Sequence, residues 1–132
     1  MLVRRLDEVP VHERHGLKSH ILMDAGELGS RNLCVTWVEV PAGARQEAHS
    51  HEDSEQAYVI VSGSGEMTVA GDTQTVSTGD MVFIPPASDH EIHNDGPETL
   101  VYVSATSPPV SMQELYETDL AAGAAVGYDD EE

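Results

Sequence analysis

Apolar residues along this chain come in short runs broken by turn residues, and within the runs they alternate instead of following a helical period. LCVTWVEV (33–40) reads as a strand closed by Pro41 and Gly43, and AYVIV (57–61) as another ended by the SGSG turn. EMTVA and TQTV flank Gly71 and Asp72 as a hairpin, MVFI follows the Thr78-Gly79-Asp80 turn and stops at Pro85-Pro86, and TLVYVSA (99–105) is the last strong run. Strands at a spacing of roughly 8–12 residues predict an all-β sandwich or barrel of the jelly-roll kind.

The texture changes beyond Pro108-Pro109. Ser111 and Glu114 form a capping box, so SMQELYETDLAAG predicts one short helix that Gly123 ends. The acidic tail to Glu132 offers too little apolar surface to offset its ordering entropy and is expected to be disordered. The expected organisation is therefore an N-terminal segment (1–32) packing on a β-barrel (33–110), followed by the helix and tail (111–132).

Length and charge narrow the possibilities. A chain of 132 residues can bury one core and is read as one domain. It carries 24 acids against 6 bases, a formal net charge of −18, and the only base beyond residue 32 is Arg45. Such a surface repels phosphate backbones and anionic headgroups, so neither nucleic acid nor membrane is an expected partner. The acidic, lysine-poor balance resembles proteins of salt-loving microbes. The first residues lack the apolar core of a secretion signal, and the single cysteine, Cys34, allows no internal disulfide, so a cytoplasmic location is expected.

The candidate chemistry lies in two stretches, GARQEAHSHEDSEQAYVIVSG (43–63) and GDMVFIPPASDHEIHN (79–94). On a strand, residues i and i+2 share a face, so His49 and His51 can present two imidazoles to one point. The second stretch brings a third histidine, His90. Three imidazoles with one oxygen donor suit Mn, Fe, Co, Ni, Cu or Zn and leave one or two positions for water or a ligand. His12, His15 and His20, at spacings of three and five, share no strand face and are read as lying outside the site. Trp37, central in its strand, is read as core or pocket wall.

These two stretches resemble the paired motifs of the cupin superfamily. In the first, Gly43 is followed by five residues, His49-Ser50-His51, four more residues, Gln56, and six more before Gly63. In the second, Gly79, Pro85, His90 and Asn94 stand at the family's spacings, with Ala87 where the family has glycine. The resemblance covers residues 33–105 and implies a double-stranded β-helix, or jelly roll, with a site of one divalent transition metal ion held by His49, His51, His90 and a fourth ligand.

Family spacing allows either Glu55 or Gln56 as that ligand; the count back from Gly63 selects Gln56, with Glu55 turned to the opposite face. Tyr58 and Ile60 share parity with Gln56 and are expected in the same cavity with Trp37 as substrate-binding residues, Tyr58 as an acid/base or as packed wall. Glu47 shares parity with His49, whereas His93 is read as outside. The resemblance further implies a homodimer and a small organic ligand, either turned over by a dioxygenase, isomerase or lyase or bound without turnover.

Overall fold

The computed structural model describes residues 1–110, so the expected helix and tail over 111–132 lie outside the described residues. Ten strands make up the fold: β1 (Val11–Arg14), β2 (Leu17–Met23), β3 (Cys34–Val40), β4 (Arg45–His49), β5 (Glu55–Ser62), β6 (Ser64–Val69), β7 (Asp72–Ser77), β8 (Met81–Ile84), β9 (His90–His93) and β10 (Leu100–Ser107). They pair antiparallel into a six-stranded sheet, ordered β1-β2-β3-β10-β5-β8, and a four-stranded sheet, ordered β4-β9-β6-β7. This is the jelly-roll arrangement that the short alternating runs predict.

Alternation places the core. In β3 and β10 every second residue is buried, so Val38, Val40, Leu100 and Tyr102 turn inward. They meet Tyr58 and Ile60 of β5, Met67 of β6, Ile84 of β8 and Ile92 of β9 in a single cluster. Trp37 has the opposite parity. It stands on the outer face of the six-stranded sheet opposite Val103, with its indole N–H donating to Glu39 Oε2 at 3.2 Å. The packed inner position expected for Trp37 is thus taken by its neighbours, Thr36 and Val38.

The N-terminal segment joins the sheet itself. β1 and β2 form a hairpin whose two loop residues, His15 and Gly16, both have positive φ (54° and 86°), and β2 pairs with β3. A two-residue turn of this kind matches the twist of its strands. Arg4 ties the segment down further: it donates to Glu27 Oε1 at 2.6 Å and to the Leu22 carbonyl at 3.1 Å. The Glu27 carboxyl is held below its usual range by the Asp24 N–H and by Arg4. The β6–β7 turn falls at Ala70 and Gly71, with φ of 50° and 85°, one residue before the expected pair.

The far end of the second motif has a structural role. Asn94 is fully buried and donates through Nδ2 to the carbonyls of Val40 (2.9 Å) and Glu98 (2.7 Å), while its Oδ1 accepts the Gly96 N–H at 3.0 Å. Its backbone also exchanges hydrogen bonds with Gly43 and Ala44, so one asparagine joins the β3–β4 turn to the β9–β10 connection.

Two motif glycines can be separated by experiment. Gly63 and Gly79 both have left-handed φ (86° and 94°), but a Cβ on Gly63 would sit 2.7 Å from the Thr99 carbonyl oxygen, whereas one on Gly79 meets nothing within 4 Å. Gly79→Ala should cost about 1 kcal/mol of unfolding free energy from backbone strain alone. Gly63→Ala should cost a further ~1–3 kcal/mol, because backbone must move to admit the methyl. Urea midpoints of the two variants measure the difference, and equal midpoints would contradict the close approach.

Candidate metal centre

The β4–β9 ladder brings the two motifs together. Arg45 pairs with His93 and Gln46 with Ile92; His49 then pairs with His90. Three steps along β4 therefore match two along β9, which places one extra residue in β4 as a bulge. The bulge switches parity, so Gln46 and His49 both turn inward. Glu47, expected on the face of His49, is instead exposed.

Both paired histidines are held by backbone. The Nδ1 of His49 lies 3.0 Å from the carbonyl of Glu47, and that of His90 lies 3.1 Å from the carbonyl of Ser88. A carbonyl only accepts, so each ring carries its proton on Nδ1 and presents Nε2 as a lone-pair donor. That is the orientation a metal-ligating imidazole needs.

His51 arrives differently from the i, i+2 expectation. It lies beyond the end of β4, in the segment leading to β5, and its carbonyl accepts the N–H of Ala87 at 2.8 Å. Ala87 holds the left-handed φ of 65° at the position where the motif has glycine, so the loop conformation survives the substitution. The three rings converge, with centroids 4.2 Å (His49–His90), 5.2 Å (His49–His51) and 5.9 Å (His51–His90) apart. One nitrogen from each lies within 4.8 Å of the others, so the cluster can hold a metal ion. His90 is buried, and His49 and His51 are half-buried.

On β5, Gln56 is buried and Glu55 exposed. The Gln56 amide nitrogen donates to Ser104 Oγ at 3.3 Å and to Thr106 Oγ1 at 2.9 Å, both on β10. Its Oε1 is buried with no hydrogen-bond partner among the described residues. A buried carbonyl oxygen left so is costly unless something electropositive faces it. Ser104 and Thr106 were missed in the sequence; the alternating small hydroxyls of SATS were the available signal.

Tyr58 is fully buried, stacked on Tyr102 (4.3 Å) and edge-on to His90 (5.9 Å). Its hydroxyl donates to Gln46 Oε1 at 3.2 Å. Of its two expected roles, that contact matches the packed wall. Gln46, also fully buried, was overlooked because the bulge hides its parity. Ile60 belongs to the core cluster. Trp37, on the outer face, is not brought to the histidines, and His93 has the parity opposite to His90. His20 lies beside Glu39 (3.4 Å), on the outer face with Trp37, its partner across the β2–β3 ladder.

Arg45 is bonded to Glu91 at 3.2 Å and is the one lysine or arginine beyond residue 32. Among the described residues no helix is long and apolar enough to cross a membrane.

The chain is similar to known proteins in sequence and in fold. An uncharacterised protein of Methanocaldococcus jannaschii is 36% identical over 75 residues, which are 57% of this chain and 60% of that protein. The oxalate decarboxylase of Bacillus subtilis is 31% identical over 105 residues, 76% of this chain but 27% of the enzyme. The chain thus spans less than two thirds of either relative. A Thermotoga maritima crystal structure described as a predicted oxalate decarboxylase superposes with a TM-score of 0.74 at 19% identity, over 80% of this chain and 98% of that one, which supports the fold. The family model described as "Cupin domain" matches residues 36–106, more than half of the sequence and both histidine stretches. The chain belongs to the cupin family.

Proposed function

We propose that the protein binds one divalent transition metal ion through His49, His51, His90 and the Gln56 carbonyl oxygen, and acts on a small organic molecule as a dioxygenase, isomerase or lyase. The observation that carries this reading is the cluster itself: three imidazoles from two motifs, two of them held at Nδ1 by backbone carbonyls. The unpartnered Gln56 oxygen supports the fourth ligand, because Ser104 and Thr106 hold the amide nitrogen and leave the oxygen to face a cation.

The metal would supply Lewis acidity, or electrons if it is redox-active, at positions the protein leaves open. The chain's own residues orient the imidazoles, supply a neutral amide where a carboxylate would lower the net charge, and pack Tyr58 against His90 to exclude water from its inner side. A neutral fourth ligand leaves the centre one unit more positive, which favours binding of an anionic group. A second reading, binding without turnover, is favoured by the engagement of the Tyr58 hydroxyl with Gln46, which withdraws the expected acid/base from a substrate.

Metal content and affinity test the site. Wild-type protein purified without chelator should hold close to one ion per chain by elemental analysis, and His90→Ala should hold none. Gln56→Ala should weaken affinity at least ~10-fold and Thr106→Val by roughly 10-fold, as expected for a ligand and its support. Gln56→Glu should tighten it, while Glu55→Ala should leave it unchanged. Loss in Glu55→Ala with none in Gln56→Ala would reverse the fourth-ligand assignment. Oxygen uptake by Fe(II)- or Mn(II)-loaded protein with candidate organic acids separates a dioxygenase from a lyase or isomerase.

A further inference from the structure

The outer face of the six-stranded sheet reverses the usual order of an antiparallel sheet, in which the side away from the core carries polar residues. β10 shows this most plainly: Ser104 and Thr106 turn inward, while Val101, Val103 and Ala105 turn outward. The registers then align the outward residues into rows. Trp37 of β3 pairs with Val103, Val103 with Val59 of β5, and Val59 with Met81 of β8. The next row, Val35, Ala105, Ala57 and Phe83, runs beside it across the same four strands. Residues paired across a ladder share a face, so the two rows form one continuous apolar surface.

That surface is open at its edge. Met81 is 60% exposed, Phe83 52% and Val59 43%, and β8, which carries the first two, ends the sheet. Neither row contains a charged residue, in a chain of net charge −18. The third row adds Val101 and Glu39, whose carboxylate takes the Trp37 N–H at 3.2 Å. An apolar face of this extent marks an interaction surface.

Charge and shape decide what covers it. Phosphate backbones and anionic headgroups are repelled by the chain as a whole, and a basic partner would be drawn to carboxylates, which these rows lack. A second copy carries the same negative charge, so two copies meet at least cost where acids are absent. Two sheets pack well face to face, and a two-fold axis needs only one self-complementary patch. Six strands about 4.8 Å apart, with three rows about 7 Å apart, give a face of about 600 Å². Two such faces bring together roughly 1,200 Å², the lower end of specific interfaces.

We propose that the protein forms a two-fold dimer in which the outer faces of the six-stranded sheets pack on each other, with Trp37, Val59, Val103, Met81 and Phe83 at the contact. The dimer does not depend on the metal reading above. Gln56, Ser104 and Thr106 face the opposite side of β5 and β10, so the contact leaves the histidine cluster open.

Sedimentation equilibrium of the full-length chain, with Trp37 fluorescence as a second readout, provides the test. Wild type should sediment at twice the 14.2 kDa of one chain. Raising salt from about 0.1 M to about 1 M shortens the screening length from ~10 Å to ~3 Å and should tighten the dimer at least ~10-fold, because the copies repel everywhere but at the contact. Val59→Glu and Val59→Lys, which alter an outward side chain and spare the core, should each weaken it at least ~30-fold. Emission from Trp37, the sole tryptophan, should shift to the red in both. Phe83→Lys, on the edge strand, should weaken the dimer as well, whereas Thr75→Glu, on β7 of the other sheet, should change neither readout. A wild type that stays monomeric at about 1 M salt, whether the face is left open or covered by residues 111–132 of its own chain, would overturn the proposal. So would a dimer that survives the Val59 and Phe83 variants, or one that loosens as salt rises.

Discussion

The pairing of His49 with His90 across the β4–β9 ladder is the contact on which the centre depends. It places residues 41 positions apart in the sequence side by side, with ring centroids 4.2 Å apart. The register is not a free choice. Ile92 and Gln46, two and three residues away, are both fully buried, so a slip of one residue would turn the apolar core of β9 toward solvent as it moved the histidine. Core packing thus fixes the geometry of the histidine pair. The bulge in β4 then lets a buried Gln46 and an inward His49 coexist on one strand.

Backbone carbonyls complete what the ladder begins. Two imidazoles packed this closely have no reason to choose one tautomer unless something dictates it, and the Glu47 and Ser88 carbonyls do so at 3.0 and 3.1 Å. Gln56 follows the same logic from the opposite sheet. Two hydroxyls of β10 hold its nitrogen, so its oxygen is the end left for the cavity. In each case the residue that would touch a metal is oriented by a partner contributed by another stretch of chain or by the main chain, which makes the geometry insensitive to solvent fluctuations.

Much of this was legible in the sequence, and the failures share a cause. β3 and β10 were readable because one face is buried along their whole length, and β5 because Gln56, Tyr58 and Ile60 are buried in alternation. The motif spacings located His49, His51 and His90, which converge, and singled out Gln56, which is buried. Parity failed wherever the backbone departs from a regular strand: at the bulge, where Gln46 replaced Glu47 on the inner face, and at His51, which a loop delivers. Trp37 failed for a different reason. Apolarity alone does not say which face of a strand is inner, and here the smaller Thr36 and Val38 face the core. The hairpin of β1 and β2 was missed because β1, VHER, has no apolar run and the turn uses histidine before glycine.

The most direct test of the centre is long-range proton–nitrogen NMR of the imidazoles, before and after addition of Zn(II). The expected spectrum of the metal-free protein shows His49 and His90 each fixed with the proton on Nδ1. Stoichiometric zinc should then move the Nε2 resonances of those two rings, together with one nitrogen of His51, while His12, His15 and His20 stay in place. Nε2-protonated or freely exchanging rings at 49 and 90, unmoved by zinc, would contradict a metal centre built on the β4–β9 pairing.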